Sequence, residues 1–512
     1  MSLNLATLLR ESARARPDKA ALTLADRSIP YAALHTAAQR FAGALRALGV
    51  RPGQHVALML PNVPHFTIAY FGAHYAATPV VPLNVMLTPD EIAYHLEDSD
   101  AVALVAWEGF YDQARAAFDR VDTCQHLLIA GADPSARTAP DGAASVPALM
   151  DAATPVTELP DTRADDTAVI LYTSGTTGRP KGAELTHFNL FYNAELAQKL
   201  GPPEQKSEDM VALVVLPLFH SFGQTVLQNA VLGGGGTLVL VPRFDPRVAL
   251  ETMAKHRVNF FAGVPTMYFA LLHFPEAERF DLGALRHCVS GGAPMPVEVM
   301  RAFDTKYRVN ILEGYGLSET SPVASFNLHD RPKKPGSIGV PVRGVEFRLE
   351  DDQGQVVDAA GAPGEICIKG HNVMKSYYKR PEATAESIKD GWFHSGDIAT
   401  RDADGYYFIV DRKKDMILRG GFNVYPREVE EVLYAHPAVA EAAVIGVPHE
   451  SLGEEVKAVL ALKPGARATA DDIVAYCKDH LAAFKYPRHV EFRDSLPKTA
   501  TGKILKRALR GA

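Results

Sequence analysis

The sequence predicts an α/β protein with a large N-terminal domain of mainly parallel sheets flanked by helices, a small β-barrel subdomain, and a small mobile α+β C-terminal domain. The chain has 512 residues, which is too long for one ordinary compact core. Between about residues 167 and 311, short apolar runs without polar alternation are separated by helical stretches, as in a parallel sheet covered on both faces. After residue 336 the strand-like runs are short, partly alternating and separated by Gly, Pro and Asp, which favours a small antiparallel sheet or barrel.

The individual elements follow from these patterns. Apolar side chains at helical spacing predict helices over residues 246–256 and 297–307, and Thr186 is a suitable N-cap for a further helix. Buried strands are predicted over residues 56–60, 102–106, 167–173, 211–216, 237–241, 258–262, 285–290 and 309–312. Barrel strands are predicted over residues 346–349, 364–369 and 405–410.

A charged segment divides the chain near its C-terminus. Residues 411–415 read DRKKD and lie between two strand-like runs, which predicts a hinge. Beyond this segment, alternating strands and helices form an α+β unit of about a hundred residues, a normal size for an independent domain. We therefore expect an N-terminal domain over residues 1–410, a hinge over 411–415 and a C-terminal domain over 416–512.

The composition excludes several classes of protein. Apolar residues make up 47% and charged residues 22%, as in globular chains, and the formal net charge of −7 argues against a nucleic-acid binder. No apolar run is long enough for a transmembrane segment, and residues 1–16 lack the features of a secretory signal. The four cysteines are widely separated and form neither a disulfide framework nor a thiolate metal site. These features predict a cytoplasmic protein.

A segment rich in Gly, Thr and Ser follows the strand predicted over residues 167–173. Residues 173–182 read TSGTTGRPKG, which offers backbone N–H groups and hydroxyls to phosphate oxygens, and Lys181 adds a positive charge. The segment is not a P-loop, because Pro180 precedes the lysine and no Ser or Thr follows it. On composition alone, an ordinary turn is the commoner structure for such a stretch.

The segment closely resembles the phosphate loop of the adenylate-forming enzymes, which include acyl-CoA synthetases, peptide-synthetase adenylation domains and beetle luciferases. The resemblance continues in order along essentially the whole chain. Its further motifs are EGYGLSET at 313–320, YYKRPEAT at 377–384, WFHSGD at 392–397, DRKKD at 411–415 with Gly420 and Gly421 after it, and PKTATGK at 497–503. Among the subgroups, the chain is most similar to fatty-acyl and aryl acid–CoA ligases.

This resemblance implies a nucleotide site. Tyr315 is expected to stack on adenine, Asp397 to accept hydrogen bonds from the ribose hydroxyls, and Glu319 to hold Mg²⁺ with Thr176 as a weaker ligand. Ser318 stands where threonine is common, and it retains the hydroxyl that would bond the α-phosphate. The residues implied to bind ATP or AMP are Thr173, Ser174, Gly175, Thr176, Thr177, Gly178, Lys181, Gly292, Ala293, Glu313, Gly314, Tyr315, Gly316, Ser318, Asp397, Arg412 and Lys503.

Three residues are implied to serve the chemistry. Lys503 would approach the substrate carboxylate and the α-phosphate during adenylation, although a lysine in a basic tail is otherwise usually just solvated. His220 would border the acyl pocket and gate the substrate rather than transfer a proton, the alternative being a structural histidine. Lys414 falls at the position of the family's hinge, about which the C-terminal domain rotates between the two half-reactions.

The substrate sites are also implied by the resemblance. The glycine pair would let the pantetheine arm of CoA pass close to the backbone, and Arg419 stands near the position where many relatives carry a lysine. The residues implied to bind CoA are Arg419, Gly420 and Gly421. The residues implied to line the acyl pocket are His220, Phe222, Gly223, Val226, Val264, Met267, Gly292 and Val323.

The sequence therefore predicts an acyl-CoA ligase with Mg²⁺ as cofactor, ATP and CoA as co-substrates, and a carboxylic acid, preferably a fatty acid, as substrate. The substrate carboxylate is itself the nucleophile, which agrees with the lack of a G-x-S-x-G elbow. Aryl acids remain a rival, because apolar pockets distinguish poorly between chains and rings of similar volume. Rival classes of protein are an adenylation enzyme that loads a carrier protein, a luciferase-like oxygenase and a non-enzymatic nucleotide sensor. A homodimer is compatible with the sequence.

Overall fold

A computed structural model describes residues 2–133, 135–173, 179–201 and 204–510. Among these residues the α-helices are α1 (Thr7–Ala15), α2 (Tyr31–Ala47), α3 (Pro64–Tyr75), α4 (Pro89–Asp98), α5 (Tyr111–Phe118), α6 (Val146–Ala152), α7 (His187–Ala197), α8 (Ala230–Gly233), α9 (Pro246–Lys255), α10 (Pro265–Leu272), α11 (Val297–Tyr307), α12 (Pro381–Ser387), α13 (Pro426–Ala435) and α14 (Ala470–His480). A π-helix, Phe222–Asn229, leads directly into α8.

The strands of the same residues are β1 (Ala20–Leu24), β2 (Arg27–Pro30), β3 (His55–Met59), β4 (Val80–Pro82), β5 (Ala101–Trp107), β6 (His126–Ala130), β7 (Ala144–Ser145), β8 (Thr167–Thr173), β9 (Lys181–Thr186), β10 (Val211–Val214), β11 (Thr237–Leu240), β12 (Phe260–Gly263), β13 (His287–Ser290), β14 (Asn310–Gly316), β15 (Val323–Phe326), β16 (Val340–Pro341), β17 (Val345–Glu350), β18 (Gly364–Gly370), β19 (Ser376–Tyr377), β20 (Ile388–Lys389), β21 (Trp392–Arg401), β22 (Tyr407–Arg412), β23 (Ile417–Arg419), β24 (Phe422–Val424), β25 (Val439–His449), β26 (Gly453–Leu462) and β27 (His489–Phe492).

Two large sheets form the greater part of the chain. One has the strand order β16-β15-β14-β13-β12-β10-β11-β1-β2, and the other has the order β19-β9-β8-β4-β3-β5-β6-β7. The strands from β11 through β10, β12 and β13 to β14 pair in parallel, as do β8, β4, β3, β5 and β6, while antiparallel strands lie at the edges. Helices separate the parallel strands along the chain, as such connections require. The predicted fold class is confirmed.

The local patterns predicted element bounds closely. Strand β8 and helix α11 begin and end at the predicted residues, and Thr186 caps α7 in a reciprocal capping box with Asn189. The N-terminal hairpin of β1 and β2 was not predicted. Strand β1 pairs in parallel with β11, which lies more than 200 residues later in the chain. A local sequence pattern cannot predict a pairing over such a distance.

Two smaller sheets complete the fold, the first antiparallel and the second mixed, since β27 pairs in parallel with β26. The first has the order β17-β18-β21-β20 with β22 on β21, and it is the small barrel that the alternating pattern indicated. In this sheet Arg412 pairs with Asp397 across β22 and β21, so the strand extends into the segment predicted as a hinge. The second contains β23 to β27 and packs with α13 and α14 around its own buried cluster, which includes Val429, Leu433 and Val456.

The parallel arrangement determines where a site can form. Strands β12 and β13 and the parallel part of β14 end side by side at Gly263, Ser290 and Glu313, and β14 continues to Gly316 beside β15. Ligands of open α/β sheets bind in crevices at such strand ends. None of the helices in the described ranges combines the length and the apolar character needed to cross a membrane.

Candidate active site

A cavity of about 1450 Å³ lies at the carboxyl ends of these strands and reaches the C-terminal residues of the chain. It brings together residues from all of the predicted motifs that the structure describes. The predicted site residues that line it are Thr173, Lys181, His220, Phe222, Val226, Val264, Gly292, Ala293, Glu313, Gly314, Tyr315, Gly316, Ser318, Glu319, Val323, Asp397, Arg412, Lys414 and Lys503.

Other predicted residues are not among those that line the cavity. Gly223 faces backbone instead, since a Cβ there would lie 2.4 Å from the carbonyl oxygen of Pro217, and Met267 is buried in α10. Arg419, which precedes the glycine pair, donates to both carboxylate oxygens of Glu455 over 2.5 and 2.9 Å. Gly420 and Gly421 likewise do not line it. The predicted loop residues Ser174, Gly175, Thr176, Thr177 and Gly178 lie outside the described residues.

One wall of the cavity carries a buried carboxylate with fixed neighbours. The hydroxyl of Tyr315 donates to Asp397 over 2.6 Å, and Nε of Arg412 lies 3.1 Å from the other carboxylate oxygen. Burial, followed by the charge of Asp397, raises the pKa of Tyr315 well above its ordinary value, so the phenol stays protonated. Asp397 is therefore held as an acceptor, the role that ribose hydroxyls require.

A second buried carboxylate, Glu319, lies beside the start of the predicted phosphate loop. Its Oε1 accepts hydrogen bonds from Thr173 and Tyr377, each over 3.0 Å, and the ammonium of Lys181 lies 5.3 Å from the centre of the Tyr377 ring. Within the described ranges no donor occupies Oε2. An oriented carboxylate oxygen next to the predicted phosphate-binding segment fits Mg²⁺, which binds proteins through one or two carboxylates and keeps phosphate and water ligands. Tyr377 was not predicted as a site residue.

The side chain of Lys503 enters the cavity next to Gly292. The backbone of Gly292 has φ +81°, which favours glycine, and a Cβ there would lie 2.9 Å from Cε of Lys503 and displace the end of that side chain. Burial, followed by repulsion from Arg412, lowers the pKa of Lys503 to about 8, and the charge of Asp397 offsets part of this effect. The lysine is therefore a poorly solvated cation that lacks a close anionic partner within the described residues.

His220 lies at the same end of the cavity, just before the π-helix. Its Nδ1 accepts a hydrogen bond from the backbone N–H of Phe222 over 3.3 Å. Burial, with the nearby charge of Lys503, lowers the pKa of His220 to about 3. The imidazole is therefore neutral at physiological pH.

The cavity also extends along the sheet toward the amino ends of the strands. From Tyr315 to Asn310, which both line it, β14 covers roughly 16 Å at about 3.3 Å per residue. Its lining there is mixed, with the polar His287 and Asn310 at the starts of β13 and β14. The apolar residues that line the cavity include Leu200, Met210, Val226, Ala230, Val231, Phe260 and Leu312.

A cluster in the small barrel has the composition of a metal site. Glu350, Cys367 and His394 bring one potential ligand atom each within 4.8 Å of one another. Arg348 already forms an ion pair with Glu350, and Sγ of Cys367 lies 3.4 Å from Nδ1 of His394. These partners account for the polar groups of the cluster, and we assign no ion to it.

Comparison with known proteins agrees with this geometry. The sequence matches the AMP-binding enzyme family over residues 9–378 and the AMP-binding enzyme C-terminal domain over residues 428–503. It is 37% identical over 525 residues to the long-chain-fatty-acid–CoA ligase of Bacillus subtilis (strain 168), covering 99% of this chain and 94% of that protein. It is 40% identical over 501 residues to a feruloyl-CoA synthase of an Amycolatopsis species, covering 97% of this chain and 96% of that protein.

A solved structure is also similar over nearly its whole length. The crystal structure of the anthranilate CoA ligase AuaEII in complex with anthranoyl-AMP superposes with a TM-score of 0.92 at 30% identity, covering 99% of this chain and 96% of the other. The chain therefore belongs to the AMP-binding enzyme family and, within the adenylate-forming superfamily, groups with the CoA ligases. The predicted family is confirmed.

One wall residue gives the site a pH-dependent stability. Oε1 of Glu313 accepts from the backbone N–H of Met295 over 3.0 Å, whereas Oε2 is buried without a partner among the described residues. Burial raises the pKa of this carboxyl from 4.5 to about 7. Folding therefore favours the protonated form, and the contribution to stability is present below pH 4.5 and lost as the pH rises through about 7.

We expect Glu313→Gln to leave the free energy of unfolding near the wild-type value at pH 4.5. At pH 8 it should raise that free energy by about 3 kcal/mol, because the amide carries no charge to bury. Urea denaturation at the two pH values measures both effects. Glu298→Gln, at an exposed glutamate of α11, is the matched control and should show no such difference. An effect of Glu313→Gln that is equal at both pH values contradicts the assignment.

Proposed function

We propose that the protein is an ATP-dependent acyl-CoA ligase that activates a fatty acid as an acyl-adenylate and transfers the acyl group to CoA. The observation that carries this proposal is the convergence of Lys503, Asp397 and Glu319 on one cavity whose lining also includes many apolar side chains. A cation, a ribose acceptor and an oriented oxygen ligand are the groups that a reaction between two anions requires. Membership of the family supports the same chemistry.

In the first half-reaction, a carboxylate oxygen of the substrate attacks the α-phosphorus of ATP, a new C–O–P bond forms, and pyrophosphate leaves. Asp397 and Arg412 hold the ribose, Tyr315 packs on the adenine, and Lys503 neutralises charge between the carboxylate and the α-phosphate. When bound, Mg²⁺ neutralises phosphate charge, and Glu319 is the described residue that would hold it. Ser318 and Lys181 complete the phosphate contacts, and the predicted loop 174–178 supplies the others.

The extent of the cavity along β14 favours a long aliphatic chain. A single aromatic ring would fill only part of a cavity that follows β14 for roughly 16 Å. Val226 of the π-helix and Ala230 at the start of α8 both line the cavity with small apolar side chains. Aryl acids are the second candidate, because relatives named feruloyl-CoA synthase and anthranilate CoA ligase share the fold and much of the sequence.

A pyrophosphate-release screen over fatty, aryl and dicarboxylic acids, with and without CoA, tests the function. We expect release with fatty acids of medium and long chain, acyl-AMP accumulation without CoA, and acyl-CoA when CoA is added. A preference for acids with an aromatic ring would instead identify an aryl acid–CoA ligase. Acyl transfer to a carrier protein but not to CoA would identify an adenylation enzyme. If no acid yields an adenylate, the proposal fails.

Lys503→Ala should separate the two half-reactions. We expect adenylation to fall at least 100-fold, as for loss of a charge-stabilising group, while thioester synthesis from supplied acyl-AMP stays within about twofold of wild type. In the wild type, adenylation should decline as the pH rises through about 8, where the lysine loses its charge. The residual adenylation rate of the Lys503→Ala variant should not show this decline. Equal loss of both half-reactions contradicts this role.

For the second half-reaction we propose that the C-terminal domain, residues 416–512, rotates about the hinge at 411–415. The thiol sulfur of CoA then attacks the acyl carbonyl, AMP leaves, and the thiol proton passes to solvent. In the described arrangement Lys503 lines the cavity and Gly420 and Gly421 do not, which supports assigning this arrangement to the adenylation step. Rotation would bring the glycine pair and Arg419 to the pantetheine path, with Arg419 released from Glu455.

Lys414→Pro tests the hinge. The backbone N–H of Lys414 makes no hydrogen bond to the described residues, so proline restricts rotation without removing a bond. We expect adenylation within about threefold of wild type and a loss of thioester formation of more than 50-fold. Lys414→Ala, which keeps the backbone free, is the matched control and should support both steps. Normal turnover of the proline variant would exclude rotation at this residue.

A further inference from the structure

We propose that Thr266 is a positioning residue that docks the lysine loop, residues 499–503, and so favours the adenylation arrangement. The inference rests on the proposed function and adds a residue that the family motifs did not indicate. The hydroxyl of Thr266 donates to the carbonyl oxygen of Gly502 over 2.8 Å, immediately before Lys503. The two residues are 236 positions apart, so this bond joins the large sheet region to the C-terminal region.

The lysine loop is held in shape by its own hydrogen bonds. The backbone N–H of Thr499 donates to the carbonyl of Lys503 over 2.8 Å, and that of Gly502 donates to the carbonyl of Thr499 over 2.9 Å. The hydroxyl of Thr499 accepts from the N–H of Lys503 over 3.2 Å and lies 2.8 Å from that of Thr501. The loop therefore moves as a preformed unit, and its position depends on the surface that receives it.

That surface is small and closely fitted. A Cβ at Gly502 would lie 3.0 Å from Cγ2 of Val264 and 3.2 Å from Oγ1 of Thr266. Across residues 2–133, 135–173, 179–201 and 204–410, the Thr266 hydroxyl is the one hydrogen-bond partner of the loop. The remaining contacts are van der Waals packing, which is compatible with sliding. The hydroxyl therefore supplies the directional contact that determines how far the side chain of Lys503 enters the cavity.

The placement of Thr266 supports a role outside its own helix. It is the second residue of α10, where Ser and Thr side chains commonly bond to nearby backbone. The N-cap position of α10 is Val264, which offers no side-chain cap. Thr266 instead directs its hydroxyl to Gly502 of the C-terminal region. After rotation of that region the hydroxyl would return to solvent, so the bond stabilises only one of the two arrangements.

Thr266→Val tests the inference, because valine matches threonine in shape and lacks the donor. We expect single-turnover adenylation, followed as pyrophosphate release, to fall about tenfold, the factor that corresponds to about 1.4 kcal/mol for one lost hydrogen bond. Thioester formation from supplied acyl-AMP should stay at the wild-type rate or rise. The KM for the fatty acid should change by less than about twofold. Thr266→Ser should restore adenylation to within about threefold of wild type.

A matched control and a second variant keep the test independent of folding. Thr305→Val removes a hydroxyl that bonds only within α11 and should leave both half-reactions unchanged. Gly502→Ala adds a Cβ 3.0 Å from Cγ2 of Val264, at a backbone with φ +82°, and so should push the loop off its docking surface and reproduce the selective loss of adenylation. Equal loss of both half-reactions, a valine variant that adenylates normally, or a serine variant as slow as the valine one would overturn the inference. A wild-type protein that adenylates no acid would instead refute the proposed function itself.

Discussion

A cation brought into a poorly solvated cavity is the constraint on which the rest of this structure depends. Burial and the charge of Arg412 both destabilise the charged form of Lys503, and the charge of Asp397 only partly offsets these effects. The lysine is therefore more stable in the cavity when an anion is also present. Nucleotide phosphate and a substrate carboxylate would supply that charge. For the rotation proposed above, this charge would couple the position of the C-terminal region to occupancy of the site, alongside the Thr266–Gly502 hydrogen bond.

The two carboxylates of the site, Asp397 and Glu319, are both held by hydrogen bonds from hydroxyl groups. Asp397 accepts from Tyr315, and Glu319 accepts from Thr173 and Tyr377, so each acid receives hydroxyl donors from strands distant in sequence. These bonds orient the oxygens before any ligand arrives, which lowers the reorganisation required during reaction. The lysine loop differs because, although its own hydrogen bonds fix its shape, it belongs to the C-terminal region and reaches the site from there. The site thus combines acceptors that are already in place with a cation that must be docked.

The sequence predicted most of the elements and the family, but few of the contacts. The strand predicted over residues 167–173 has the same bounds as β8, because a strand buried on both faces is recognisable from its continuous apolar sequence. The ordered motifs identified Asp397, Glu319 and Lys503, and the described residues bring all three to one cavity. Tyr377 was missed as a site residue although its motif had been recognised, because only the folded chain shows that its hydroxyl reaches Glu319. Gly223 was expected at the pocket wall, and the π-helix turns it toward Pro217 instead.

By itself, the sequence determined the periodic elements, the parallel core and the family, since these depend on local backbone geometry, burial and the order of short motifs. The hinge at residues 411–415 and the individual roles of the site residues stay predictions. The tertiary structure alone decided that β1 pairs with β11, that Thr266 meets Gly502, and that Lys503 is poorly solvated. Those features join positions separated by hundreds of residues, and their energies come from packing and dielectric environment, which no local pattern encodes.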